Sequence, residues 1–235
     1  MKIKNLLYLC SYLILSIHWG AAMAIEEPSY ELLTVQPPFE VRHYHPMLIA
    51  QVMVEGDMDE ASSKGFRQIA GFIFGGNQPI HEMPVGSMVS PSSASSPNAL
   101  QTAPSKSPTG EEKGVKIAMT APVTVEPQGA DKALLSAKMW RVNFVMPSQY
   151  TLKTIPQPKN PAITLEEVPQ KYYAVMSYSG FNFQSKVQQF MEDTLKWATS
   201  KGYTVLGSPQ LARYDPPWTL PMFRRNEIMV EISKP

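Results

Sequence analysis

One order of features occurs twice in this chain, and it limits the fold more than any other property. Pro46 precedes an apolar run from Met47 to Val54, Gly56 follows, and an amphipathic segment comes next. Pro169 precedes a second apolar run, Gly180 follows, and a second amphipathic segment extends from Phe183 to Lys201. In the first amphipathic segment Met58, Ala61, Phe66, Ile69 and Ile73 recur at helical spacing; Asp57 is placed to cap its start, with Glu60 three residues on. Gly75-Gly76-Asn77 stops it. In the second segment Val187, Phe190, Met191, Leu195 and Ala198 share a face, and Lys201-Gly202 is the stop. Strands are predicted over Phe39–Tyr44, Met47–Val54, Ala137–Met146, the run after Pro169, Thr204–Tyr214 and Arg225–Ile232. The segment 147–161, with four prolines, reads as an extended crossover. The fold class is α+β: two pseudo-symmetric strand-strand-helix-strand-strand halves forming a distorted β-barrel, with two long helices packed outside.

Two stretches stand apart from this body. Residues 1–24 have a basic start (Lys2, Lys4), an apolar run from Leu6 to Ile17 and the small-residue site Ala22-Met-Ala24, the layout of a secretory signal. The run is shorter than the ~20 residues a membrane helix needs. Export to the periplasm or the medium, with no stable membrane span after signal removal, is the expectation. Cys10, the only cysteine, lies inside it, so residues 25–235 form a single domain that relies on its core. Residues 78–114, rich in serine and proline and poor in aliphatic side chains, are expected to be a disordered insertion within that domain.

The string Lys116-Ile-Ala-Met-Thr-Ala-Pro-Val123 restores alternation after the insertion, with Ile117, Met119, Ala121 and Val123 on one face, and predicts a strand kinked at Pro122. This string resembles the signature of the SOUL haem-binding family. Phe39-Glu-Val-Arg-His-Tyr44, Gly65-Phe66 with Gly76-Asn77, Asn143-Phe-Val-Met-Pro147 and Arg225-Asn-Glu-Ile-Met-Val230 agree with it. The resemblance covers Tyr30 to Ile232. It implies a pseudo-twofold distorted barrel that holds haem or another tetrapyrrole, with a histidine at the position of His43 as axial iron ligand in some members and packing alone in others.

The chain lacks a Gly-rich phosphate loop, a G-x-S-x-G elbow and an H-E-x-x-H pair, so no catalytic set is visible and a binding protein, not an enzyme, is expected. A formal net charge of +1 does not suit a nucleic-acid binder. After residue 24 there are three histidines, His43, His45 and His81, and no cysteine, which argues against a closed zinc site. His43 and His45 share a face if their strand continues to Pro46. A porphyrin needs an apolar slot, cations for its propionates and an optional axial ligand. Candidates are His43 for the iron, Met58, Phe66 and Ile69 (with Phe72 beside them) for the slot, Lys64 and Arg67 at its rim, and Met119 opposite. The same stripe also suits plain core packing. Arg42 and Arg225 are further candidates for propionates. A buried acid in the groove, Glu166 or Glu227, would instead fit an effector-binding module for another amphipathic molecule. A hydrolase or haem-modifying enzyme is a further alternative, as is a protein partner, of no identified kind, on the insertion.

Overall fold

A computed structural model describes residues 25–80, 114–129, 136–216 and 218–235. The segment 1–24, His81 and most of the Ser/Pro-rich insertion lie outside the described residues. Eleven strands and two α-helices are present in chain order: β1 (Tyr30–Gln36), β2 (Phe39–Tyr44), β3 (Met47–Glu55), α1 (Met58–Ile73), β4 (Asn77–Gln78), β5 (Val123–Gln128), β6 (Met139–Val145), β7 (Gln157–Pro158), β8 (Ile163–Val168), β9 (Lys171–Tyr178), α2 (Gln184–Ser200), β10 (Gln210–Arg213) and β11 (Asn226–Ile232).

Nine of the strands form one antiparallel sheet in the order β1-β2-β9-β11-β10-β5-β6-β3-β8, curled into a half-barrel; β4 and β7 make a separate short pair. The sheet starts at β1 and ends at β8, so the expected distorted barrel is an open half-barrel. From β2 to β8 the order is unchanged when β2, β3, β5 and β6 exchange places with β8, β9, β10 and β11.

Strand alternation puts Leu48, Ala50, Val52 and Val54 of β3 and Trp140, Val142 and Phe144 of β6 on one face. Both helices cover that face. Met58, Ile69 and Phe72 of α1 join the same core as Val187 and Met191 of α2. Val41, Ala174 and Ile232 close a second cluster against Trp197 and Ala198 of α2. Trp140, Phe72 and Phe144 are at most 1% exposed, and burying an apolar side chain of this size contributes ~1.5–3 kcal/mol.

The start of α1 follows its sequence signal: the Asp57 side chain accepts the Glu60 N–H at 2.8 Å. The signature string departs from expectation. Residues 114–122 form no strand, only one isolated parallel bridge from Thr120 to Glu26, and β5 starts at Val123. The Ile117 N–H donates to Ile73 O at 2.9 Å, the Ala121 N–H to Glu26 O at 2.9 Å, and the Thr120 hydroxyl to Val145 O. These groups are satisfied outside the sheet, and Ile117, Thr120 and Ala121 are buried instead of every second residue. The expected crossover 147–161 contains only the short β7, β8 follows it without having been predicted, and β1 was not expected at all. Of the predicted Thr204–Tyr214 strand, Gln210–Arg213 forms β10, and Val205 makes an isolated antiparallel bridge to Ile232.

Candidate functional site

The second face of the sheet is turned away from the helices. Successive side chains alternate, so Met47 and Ile49 of β3, Asn143 and Val145 of β6, Tyr173 of β9 and Met229 of β11 point to this side. Two clefts open here. The larger has a volume of about 650 Å³ and is walled by Met47, Leu48, Val145, Met146, Tyr150 and Val168. The smaller, about 80 Å³, lies among Tyr44, Ile49, Tyr173, Gln210 and Met229. Pro28, Met47, Val145 and Val168 line both, which makes the two one continuous groove.

The lining of the larger cleft includes Glu26, Glu27, Glu167 and His45, but no lysine or arginine among the described residues. Glu26 accepts the Ser148 N–H at 2.7 Å, and Glu27 pairs with Arg225. The His45 backbone N–H donates to Ser29 O at 3.2 Å, while its exposed imidazole makes no hydrogen bond among the described residues.

Past the smaller cleft, on the same face, lies a buried charged network. The Arg42 guanidinium grips the Glu227 carboxylate at 2.8 and 3.1 Å, with the two residues 4% and 1% exposed. Tyr214 Oη donates to Glu227 at 2.7 Å and Ser177 Oγ at 3.3 Å. Arg42 also reaches Glu40 at 2.7 Å and Tyr44 Oη at 3.1 Å, and lies 4.5 Å from the centre of the Tyr30 ring. Burial pulls the Arg42 pKa down, but the Glu227 hydrogen bonds and the surrounding negative potential outweigh it and hold the pKa above its ordinary value. Burial pushes the Tyr44 phenol up to about 12, against the opposing pull of Arg42. It raises Tyr214 too, helped by Tyr44 and Glu227. Glu227 is thus a buried acid whose oxygens are already taken. Glu166, the other acid singled out, is exposed and accepts from Gln51 at 2.7 Å. Arg225 stacks 3.4 Å from the Tyr214 ring centre and pairs with Glu27, so both arginines proposed for propionates have carboxylate partners.

The haem candidates read from sequence are not brought together. Met58 and Ile69 are core, at 2% and 0% exposure, as is Phe72. Phe66 is partly exposed on α1, 5.6 Å from the Phe144 ring. Lys64 pairs with Glu60 at 2.6 Å, and Arg67 is exposed. Met119 is 38% exposed in the irregular segment. His43 stacks on Tyr172 with ring centres 4.4 Å apart and Nδ1 3.5 Å from Glu31. None of these residues lines either cleft. His45, Met47, Met146 and the three carboxylates were not expected as site residues. β2 ends at Tyr44, as predicted, so His45 lies one residue past the strand, and its ring still sits 5.9 Å from that of His43.

The sequence profile of the SOUL heme-binding protein family matches residues 25–108 and 105–231. Among solved structures, the EcmrR C-terminal domain is 11% identical, with a TM-score of 0.52 over 88% of this chain and 99% of that one. EcmrR in a complex with DNA is 10% identical, with a TM-score of 0.53 over 98% of this chain and 66% of that one. A hydrolase from Listeria innocua is 12% identical, with a TM-score of 0.48 over 89% and 94%. At these identities the first two show a shared fold alone, and the third carries no argument. No curated protein matches the sequence.

Proposed function

Because the chain belongs to the SOUL heme-binding protein family, we propose that it binds haem or a related tetrapyrrole in the cleft on the open face of the sheet, as a binding protein and not an enzyme. The observation that carries this reading is the cleft itself, at about 650 Å³ within the ~300–1,000 Å³ typical of small-molecule sites. Its walls mix polar side chains with apolar ones, among them two adaptable thioethers, Met47 and Met146, and its described lining holds one imidazole. Bound haem would supply a flat apolar plate, an iron centre open to an axial ligand, and two propionates. Met47, Leu48, Val145, Met146 and Val168 would hold the plate, and with no lysine or arginine in the described lining the propionates are left to water.

The role we assign is binding, buffering or handing over the macrocycle outside the cytoplasm. Lys2, Lys4, the Leu6–Ile17 run and Ala22-Met-Ala24 support export, and no helix among the described residues is long and apolar enough to cross a membrane. The doubled architecture belongs to the same reading, and the exchange-invariant strand order supports it.

One observation favours a second reading. Three carboxylates in the lining, of which Glu27 is paired with Arg225, and no lysine or arginine among the described lining residues suit a cationic or neutral amphipathic molecule better than a dianionic one. An absorbance titration separates the two. Ferric haem added to the purified protein should give a saturable shift of its main band at one equivalent. If haem gives no saturable shift while a tetracationic porphyrin does, the haem reading fails and the cleft is a site for amphipathic cations.

A further inference from the structure

We infer that His45, and not His43, is the imidazole offered to iron by this protein; the inference rests on the cleft being the tetrapyrrole site. His43 points to the helix side of β2 together with Val41, which packs against Trp197 and Ala198 of α2. Its ring lies nearly parallel to Tyr172, at 10°. Its Nδ1 faces Glu31 across the β1–β2 pair at 3.5 Å, and its Nε2 is sealed from solvent without a partner. Neither cleft reaches that nitrogen. An iron could meet it only if Tyr172 or the strand moved.

His45 differs on each of these points. It lies one residue past the end of β2, where alternation no longer dictates its direction, and its backbone is fixed by Ser29. Its side chain is exposed, free of hydrogen bonds among the described residues, and part of the lining of the 650 Å³ cleft. The two histidine rings are neighbours, 5.9 Å apart and tilted by 50°, so what separates them is access: His45 is exposed and lines the cleft, while His43 is stacked on Tyr172. Among the described residues the cleft lining therefore contains one imidazole, with no hydrogen bond to displace before it can donate to a metal.

The test is absorbance and electron paramagnetic resonance of the ferric haem complex of the protein, of His45→Ala and of His43→Ala, with iron-free protoporphyrin as a parallel probe. The expected result is a histidine-ligated spectrum in the wild type and in His43→Ala. In His45→Ala that spectrum is lost and is restored by added imidazole, while protoporphyrin still binds. Because His45 is exposed, its variant should unfold at the wild-type temperature. An unchanged haem spectrum in His45→Ala, or its loss in His43→Ala with the fold intact, would overturn the assignment. Failure of the wild type to bind both haem and protoporphyrin would overturn the site reading beneath it.

Discussion

Arg42 and Glu227 sit where the cost of a mistake is highest. A buried ion pair repays little over an apolar pair of the same size, but breaking it strands a charge in a medium that cannot solvate it. Arg42→Met should therefore destabilise the fold by about 3–5 kcal/mol in urea unfolding. Arg42→Met combined with Glu227→Leu should lose less than the single change does. A single-variant loss below ~1 kcal/mol, in the range of exposed pairs, would mean that water reaches the network. At this scale the sequence was partly legible. It pointed to Arg42 as a charge near a ligand and to Glu227 as a buried acid, but period-two alternation says only that neighbours face opposite ways. It does not say that two strands far apart in the chain bring these two charges together across β9. The same limit explains the histidines, since one residue of strand beyond Tyr44 would have put both on a single face.

Helix α1 shows what an element needs beyond its own pattern. Gly65 lies where the helix approaches β6, and a Cβ there would stand 2.5 Å from Val142 Cγ2. Alanine is the better helix former by ~1 kcal/mol, while overpacking a core typically costs ~1–3 kcal/mol. The second effect wins, so Gly65→Ala should lower the melting temperature, and Val142→Ala in that background should recover part of the loss. A rise in melting temperature for Gly65→Ala alone would sink the close-approach argument. Both helices were legible because caps, stops and 3.6-residue spacing lie within a few residues of one another. Edge strands were not. All seven residues of β1 are exposed, and β8 alternates weakly after a proline-rich stretch, so neither imprints a hydrophobic period. The signature string misled in the opposite sense. Its alternation is real in sequence, yet Ile117, Thr120 and Ala121 are anchored one by one to Ile73, Val145 and Glu26.

At the scale of the molecule, a single side chain ties together the points where the long insertion leaves and returns. Asn77, fully buried, donates its side-chain amide to Phe72 O at 2.7 Å and to Val115 O at 2.8 Å, and its carbonyl accepts the Val115 N–H at 2.9 Å. One side chain thus ties the end of α1 to the returning chain, so the fold does not depend on residues 81–113 to bring these points together. Shortening a loop relieves closure entropy by only ~0.6 kcal/mol per halving, and a bridge of about six residues spans up to ~20 Å. Replacing residues 81–113 with such a Gly/Ser bridge should therefore leave cooperative unfolding intact and stability equal or slightly raised. The haem titration should not change either, because the cleft is walled by β3, β6, β8 and the segments beside them. Loss of cooperative unfolding would show that the insertion contributes to the core. Intact unfolding with lost binding would instead place part of the ligand site in the insertion, and the cleft as drawn would be incomplete.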